Sequence, residues 1–292
     1  MKIVHLTDLH VQTAPRLGEL FNKRIIGTAN LYLMGRRAKF SPQAQRAAVE
    51  TALSLAPDLV LITGDLTAQG LDSEFEAARA LLDPLLAAVP AVVLAGNHDT
   101  YVSESEPGAR MRPWFGPWMG PALPHLHAFG EVAVLTLETC RAHLLSSGHT
   151  PPEQLAQAAG LLAALPDSAL PFVFLALHYP LRGRHGEPYG PWTRALDNAA
   201  AVEAMISGTD RIGAVVHGHE HHGFRTTVPG LGGPVPILNP GASGYALLPA
   251  LRRTAHLNVY EADRGGLHGV RRLSWDGAAF LEEPGGAYAT GG

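Results

Sequence analysis

Eight side chains of metal-binding type occur in this sequence, each near the point where an apolar run gives way to polar residues. The clearest case is Gly96-Asn97-His98-Asp99, which directly follows the apolar residues 91–95. The complete candidate set is Asp8, His10, Asp65, Asn97, His98, His178, His219 and His221. Because these side chains combine oxygen and imidazole donors without a thiolate, they suit Fe, Mn, Zn or Co better than calcium.

Each candidate on its own has a simpler explanation. A single histidine is more often a hydrogen-bonded structural residue than a ligand, and a pair such as Gly64-Asp65 is usually a turn. Eight such residues at the ends of several apolar runs favour a metal site instead. Asp65 is central in the set, so we expect its carboxylate to bridge two cations and offset their mutual repulsion. Asn97 would complete a ligand sphere without adding charge.

The apolar runs must position these side chains, and they are predicted to be buried strands. Strands are expected at residues 2–7, 58–63, 91–95, 132–137, 172–177, 212–216, 236–238, 255–260 and 270–275. The run 58–63 is continuously apolar, which indicates a strand covered on both faces. In an extended segment residues two apart point the same way, so Asp8 and His10 should converge on one point. Polar residues at strand carboxyl ends indicate a crevice at the edge of an α/β sheet.

Helices are predicted between the strands. Ser41-Pro42 is a typical helix start, with Ser as the cap and Pro at the first helical position. Ser73 and Glu76 fit a capping box that opens the next helix, in which Pro84 should introduce a kink or the end of the helix. Further helices are expected at 150–165 and 198–207.

Three segments are predicted to be irregular. Residues 11–40 contain a basic amphipathic stretch, which is either a lid or surface helix with a solvated basic face, or a contact for an anionic substrate or a membrane surface. Residues 100–131 carry Trp114, Phe115 and Trp118 and are expected to form a long loop over the site. Those apolar residues either pack on themselves or line a pocket or subunit contact. Residues 277–292 are predicted to be a Gly- and Ala-rich tail, which leaves 1–276 as a single domain.

Composition limits the functional classes. The chain has 292 residues, of which 46% are hydrophobic, enough to bury one large core. Its formal net charge of −4, without a basic stripe interleaved with aromatics, argues against nucleic-acid binding. The lone Cys140 excludes an intrachain disulfide. The sequence has neither a signal peptide at its start nor an apolar window of about 20 residues, so we expect a cytoplasmic protein.

The order of these motifs resembles the calcineurin-like metallophosphoesterase superfamily. The shared pattern is Asp-x-His, Gly-Asp, Gly-Asn-His-Asp, His and Gly-His-x-His, from residue 8 to residue 221. The segments 7–10 and 63–67 are most similar to the bacterial class III cyclic-nucleotide phosphodiesterases. The resemblance implies an α/β fold, a four-layer αββα sandwich of two mixed β-sheets flanked by helices, with the site at the carboxyl ends of strands.

Position by position, the resemblance assigns the ligands to two metal ions. One ion is assigned Asp8, His10, Asp65 and His221. The other is assigned Asp65, Asn97, His178 and His219. The resemblance implies two divalent, or mixed-valence, transition-metal ions of the Fe, Mn, Zn or Co type. His98 would not be a ligand; it resembles the family's acidic histidine, which protonates the leaving oxygen, and Asp99 would orient it.

The resemblance also implies a reaction, the hydrolysis of phosphodiester and also phosphomonoester bonds by a hydroxide that bridges the two metals. The expected partner is a small-molecule phosphoester, with 3′,5′-cyclic nucleotides as the candidate substrate and no nucleic acid. A lipid-linked or glycerophosphodiester substrate, a peripheral membrane contact, a nuclease and a non-catalytic metal-binding scaffold remain as alternatives. In the loop after His178, three residues either contact substrate phosphate or belong to a solvated surface: Arg182, Arg184 and His185.

Overall fold

Two six-stranded mixed β-sheets form the centre of the computed structural model, which describes residues 1–14, 36–101, 108–142 and 146–283. The predicted basic stretch therefore lies largely outside the described residues, as does most of the predicted tail. The helices lie around these two sheets, and all eight candidate site residues fall within the described ranges.

The first sheet combines three parallel strands with an antiparallel extension. Its order is β12 (Phe280–Glu282), β11 (Gly266–Trp275), β10 (His256–Asp263), β1 (Lys2–Leu6), β2 (Leu59–Ile62) and β3 (Ala91–Val93). Strands β1, β2 and β3 are parallel, and β10 joins β1 antiparallel. Strand β12 lies within the segment predicted as a tail and pairs with β11 at the sheet edge.

The second sheet has four parallel strands and two antiparallel edge strands. Its order is β4 (His125–Phe129), β5 (Val132–Thr136), β6 (Phe172–Ala176), β7 (Ile212–Val216), β9 (Gly233–Gly241) and β8 (His222–Gly230). Strands β5, β6, β7 and β9 run parallel. The edge strands β4 and β8 were not predicted; they pair antiparallel with β5 and β9.

Helices cover the outer face of each sheet. The helices are α1 (Pro42–Ser54), α2 (Asp72–Ala88), α3 (Arg112–Met119), α4 (Pro152–Ala163) and α5 (Ala199–Ser207). Apolar residues of α1, α2 and α3 share one core with the first sheet, and those of α4 and α5 share another with the second. A third core, which includes Ile3, Leu61 and Phe174, lies between the two sheets. These three apolar interfaces confirm the predicted αββα sandwich, and the full burial of β2 confirms that this strand is covered on both faces.

Several local predictions need correction. Helix α2 begins at Asp72, and Glu74 rather than Glu76 accepts the backbone amides that precede it, from Gln69 at 2.8 Å and from Leu71 at 3.3 Å. Pro84 does not end α2, which continues to Ala88. The helix tolerates the missing hydrogen bond because Leu82, Leu85 and Leu86 on either side are buried in the core.

The segment 100–131 is not a structureless loop over the site. It contains α3 and β4, and Phe115 of α3 is fully buried while Trp114 and Trp118 pack against the same core. The sequence signal was ambiguous because α3 is short and contains two prolines. Among the described residues, no helix combines the length and apolar character needed to cross a membrane.

His5 of β1 should make the protein less stable in acid. Its ring bonds the hydroxyls of Tyr260 and Thr63, each at 2.8 Å, and burial together with the His217 charge lowers the pKa of His5 from 6.5 to about 3. The unfolded chain therefore takes up this proton below about pH 6.5, whereas the folded protein does so only near pH 3. Stability is lost as the pH falls through that window, by about 4 kcal/mol at its lower end.

Urea unfolding of the metal-free protein checks this expectation. Between about pH 7 and about pH 4 the wild-type protein should lose more free energy of unfolding than His5→Gln, because the variant lacks the buried imidazole. An equal acid-induced loss in both proteins would show that His5 does not carry this pH dependence.

Candidate metal centre

Strands from both sheets deliver the candidate ligands to one place. Asp8 and His10 follow β1, Asp65 follows β2, and Asn97 follows β3 of the first sheet. From the second sheet, the segments after β6 and β7 provide the remaining three, His178, His219 and His221. The predicted convergence at the carboxyl ends of parallel strands is therefore what the fold produces.

One group of donors surrounds His10. Its Nε2 atom lies 3.2 Å from His221 Nε2 and 3.4 Å from Asp65 Oδ2. Asp8 Oδ1 lies 3.5 Å from His221 Nε2 and 3.7 Å from His10 Nε2. Four donor atoms thus face one point, and three of these four side chains are almost completely buried.

A second group of donors surrounds Asn97. Its Oδ1 atom lies 2.8 Å from His219 Nδ1 and 3.1 Å from His178 Nε2. His178 Nε2 is also 3.5 Å from Asp65 Oδ1. Asp65 therefore turns one carboxylate oxygen to each group, as expected for the bridging ligand predicted from the sequence.

The hydrogen bonds on the far side of the imidazoles show that these donors fit cations. His178 Nδ1 donates to Thr63 O at 2.7 Å, and His219 Nε2 donates to Arg194 O at 3.0 Å. Burial lowers the pKa of both rings, so each is neutral and its other nitrogen presents a lone pair. Both lone pairs point at Asn97 Oδ1, which is also an acceptor. Acceptors that face each other in a buried site need a cation between them.

Asp8 gives independent support for a cation. Its Oδ2 atom accepts from the Thr7 hydroxyl at 2.8 Å and from the His219 amide at 3.0 Å. Its Oδ1 atom is buried without a hydrogen-bond partner among the described residues. A buried carboxylate oxygen left without a donor is costly, and a metal ion would satisfy it.

Backbone geometry brings the ligands together in a way that the sequence did not reveal. Four of them have a left-handed backbone, with φ of 52° at Asp8, 50° at His10, 54° at Asp65 and 66° at His219. Positive φ is uncommon outside glycine and is found at functional sites whose surroundings enforce it. The predicted extended geometry of residues 8–10 is therefore wrong: Asp8 and His10 converge because both backbones turn, not because strand residues alternate.

His98 lies beside the first group of donors. Its amide donates to Asp65 Oδ1 at 2.8 Å, and its Nδ1 donates to Ala68 O at 2.6 Å. The His98 and His10 rings are 4.7 Å apart between centroids, edge to face. With Nδ1 bonded to Ala68 O, Nε2 is the ring nitrogen on the opposite side.

Asp99 does not orient the His98 ring directly, which corrects the sequence expectation. Its carboxylate accepts the amides of Gly96 at 2.9 Å, Thr67 at 2.9 Å and Leu66 at 3.2 Å, and the Thr67 hydroxyl at 2.8 Å. Asp99 thereby ties the loop after β2 to the loop after β3. The His98 ring is bonded by Ala68 O instead.

The three residues suggested for substrate phosphate differ in their surroundings. Arg182 is already paired, because its guanidinium binds Glu203 through two nitrogens and donates to Gly186 O at 3.1 Å. Arg184 and His185 are exposed. Arg182 therefore anchors the loop rather than offering a free cation, and the phosphate-contact hypothesis does not hold for it.

Sequence reasoning missed two aromatic residues and one arginine at the site. The Phe40 ring packs 4.2 Å from the His10 ring, and the Tyr179 ring lies 4.4 Å from that of His219. Their positions beside the Ser41 cap and directly after His178 were available signals. The contact of Arg194 O with His219 had none, because 25 residues separate the two along the chain.

Sequence comparison places this chain among known phosphoesterases. The profile of the calcineurin-like phosphoesterase family matches residues 1–223. A cAMP/cGMP dual specificity phosphodiesterase from Mycobacterium tuberculosis is 29% identical over 191 residues, which cover 61% of this chain. The match spans 52%, about half, of that relative's length.

Solved structures share the fold at low sequence identity. A dimetal phosphatase from Danio rerio superposes with a TM-score of 0.61 at 12% identity, covering 96% of this chain and 98% of that one. Purple acid phosphatase PPD1 from yellow lupin (Lupinus luteus) also gives 0.61, at 16% identity, over 96% of this chain and 52% of its own. Because the family profile covers most of the sequence, and the candidate ligands lie at the expected strand ends, the chain belongs to the calcineurin-like phosphoesterase family.

Proposed function

We propose that this protein is a binuclear-metal-dependent phosphoesterase that hydrolyses phosphodiester bonds. The observation that carries the proposal is the division of the Asp65 carboxylate between two groups of donors, Oδ2 toward His10 and Oδ1 toward His178. A carboxylate shared in this way is what two neighbouring cations require. The oxygen and imidazole donors, with no thiolate, favour Fe, Mn, Zn or Co.

The proposed ligand spheres follow the two groups of donors. One metal would be held by Asp8, His10, Asp65 and His221. The other would be held by Asp65, Asn97, His178 and His219. The partner on the far side of each ring supports this division, because Thr63 O and Arg194 O fix the tautomers that leave His178 Nε2 and His219 Nδ1 as ligands.

The chain's own residues would then have separate roles in phosphoester cleavage. When bound, the metals would supply Lewis acidity and lower the pKa of water. His98 would hold a proton at Nε2 and pass it to the leaving oxygen, since Nδ1 stays bonded to Ala68 O at 2.6 Å. Asp99 would hold together the two loops that carry Asp65 and His98, and would thereby keep the proton donor His98 beside the site.

The substrate that we propose is a small phosphodiester of the 3′,5′-cyclic nucleotide class. Support comes from the similarity to a cAMP/cGMP phosphodiesterase, which covers 61% of this chain. The segment 15–35 lies outside the described residues, so the alternative of a lipid-linked or glycerophosphodiester substrate depends on experiment. The complete set of donors argues against a scaffold that has lost its ligands.

Metal removal and reconstitution test the proposal. The chelated protein should be inert toward bis(p-nitrophenyl) phosphate, and reconstitution with Mn, Fe, Zn or Co should restore hydrolysis with two metal ions per chain. The reconstituted protein is then assayed with cAMP, cGMP, a glycerophosphodiester and a phosphomonoester. A protein that binds two metals yet cleaves none of these esters would be a scaffold. One that binds no metal would refute the proposal altogether.

A further inference from the structure

The segment 239–244 lies between two loops that carry proposed metal ligands. It comprises the last three residues of β9 and the three residues that follow them. On one side it contacts the loop after β7, which carries His219 and His221, and on the other side the loop after β1, which carries Asp8 and His10. Because β7 and β1 belong to different sheets, the segment joins the two sheets at the metal centre.

The Asn239 side chain is fully buried and holds the backbone on both sides of His221. Its Nδ2 atom donates to Glu220 O at 2.8 Å and to His222 O at 3.3 Å. Its Oδ1 atom accepts the Gly241 amide at 2.8 Å. The two kinds of partner define the orientation of the amide group, because only Nδ2 can donate to carbonyl oxygens. Asn239 therefore fixes the stretch of backbone that presents His221.

His221 depends on this backbone in a way that two other proposed ligands do not. The rings of His178 and His219 are held by hydrogen bonds to backbone carbonyl oxygens. No such bond holds Nδ1 of His221 within the described ranges, and the polar contacts of its ring are made by Nε2, on the side of the first group of donors. The position of the His221 ring therefore depends on its backbone and on the aromatic rings that pack against it.

Ser243 and Gly244 hold the loop on the other side. The Ser243 amide donates to Thr7 O at 2.7 Å, and Ser243 Oγ accepts the Thr7 amide at 3.1 Å. The Gly244 amide donates to Asp8 O at 3.3 Å, and a Cβ atom at residue 244 would overlap Leu9 O. The segment therefore contacts the backbone before, at and after Asp8.

We propose that Asn239 is a positioning residue for one of the two metals, here called the first metal, which is the one assigned to Asp8, His10, Asp65 and His221. Segment 239–244 would set the distance between the two loops that deliver these ligands from different sheets. The inference rests on the binuclear centre of the proposed function. Residues that orient metal ligands from outside typically change metal affinity about 10- to 100-fold when they are replaced.

Replacement of Asn239 with Ala should weaken the first metal and spare the second. Competition with a chelator, with Mn²⁺ as the probe metal, should show about 10- to 100-fold weaker binding of one ion per chain. The other ion should bind as in the wild-type protein, because Asn97 and His178 lie on other loops and the His219 ring has its own hydrogen bond. Asn239→Asp, which keeps the shape but loses the donor, should show the same selective loss.

Two reference variants identify the affected metal and exclude a general loss of stability. The affinity that falls in Asn239→Ala should be the one that is lost in His221→Ala. Asn198→Ala is the matched control, because the Asn198 amide also binds backbone, donating to Thr150 O at 2.7 Å and accepting from Thr150 N at 3.1 Å. Neither Asn198 nor Thr150 lies on a ligand loop, so both metal affinities should stay unchanged in this variant, even if it unfolds at a lower urea concentration.

Ser243→Ala tests the other side of the segment and does not depend on the folding of the Asn239 variants. It removes the contact of Oγ with the Thr7 amide but keeps the bond from the Ser243 amide to Thr7 O. Affinity for the same first metal should fall by about two- to tenfold, as for one lost hydrogen bond.

The outcomes separate this inference from the proposed function. Equal weakening of both metals in Asn239→Ala, or wild-type affinities in both Asn239→Ala and Ser243→Ala, would overturn the inference and leave the function standing. If the wild-type protein binds two metals but cleaves no ester, the function fails, and a selective loss of the first metal in Asn239→Ala still supports the inference. A wild-type protein that binds no metal would refute both.

Discussion

Replacement of His98 with Ala is expected to lower kcat by about 10² to 10⁴ on esters with poor leaving groups, because general acid catalysis has that typical value. The effect should be much smaller on p-nitrophenyl esters, whose leaving group departs without protonation. Both metals should remain bound. The contact of residue 98 with Asp65 Oδ1 is made by the backbone amide at 2.8 Å, and the substitution leaves that amide in place.

Metal analysis and a leaving-group series check this expectation together. A ring nitrogen of His98 lies within 4.8 Å of donor atoms of His10 and Asp65, so His98 as a metal ligand is the competing role. In that case His98→Ala would lose metal, and its activity on all esters would fall alike. His268→Ala, which alters an exposed histidine on β11, is the matched control and should change neither metal content nor rate.

The candidate ligands could be predicted because strand ends are easy to recognise in this sequence. Apolar runs such as 59–62 and 172–177 stop abruptly at polar residues, and parallel strands bring such ends to one edge of a sheet. The αββα architecture was implied by the resemblance, and the three separate apolar cores confirm it. Neither inference required knowledge of side-chain geometry.

The geometry within the site could not be predicted in the same way. The left-handed backbones of Asp8, His10 and Asp65 depend on bonds from other segments, such as Asp8 N to Gly64 O and His10 N to Asp65 O, both 2.9 Å. The position of Asp99 next to His98 suggested that the two side chains are partners, whereas the Asp99 carboxylate binds the amides of Leu66 and Thr67, 33 and 32 residues away. Long-range contacts of this kind leave no local pattern.

Close packing at the centre predicts a second large effect, for Gly96→Ala. A Cβ atom at residue 96 would overlap both the amide nitrogen and Oδ1 of Asp65, the proposed bridging ligand. A Cβ atom on the neighbouring Gly64, whose φ is 98°, would in turn lie 2.5 Å from Gly96 N, so the two backbones pack closely. We expect the free energy of unfolding to fall by about 2–3 kcal/mol. Displacement of Asp65 should also cost about 100-fold or more in kcat/KM.

Gly160→Ala is the control substitution for Gly96→Ala. Gly160 lies in α4, and a Cβ atom there would meet nothing within 4 Å, so Ala should stabilise the helix by about 0.5–1 kcal/mol. Urea unfolding in chelator reports the packing cost of each substitution, and metal titration reports the state of the site. Because the overlap at residue 96 involves Asp65, Gly96→Ala should weaken binding of both metals together. Loss of one metal alone in Gly96→Ala would show that Asp65 is not the shared ligand. An unfolding midpoint equal to that of the wild-type protein would show that the loop can move to accept the Cβ atom.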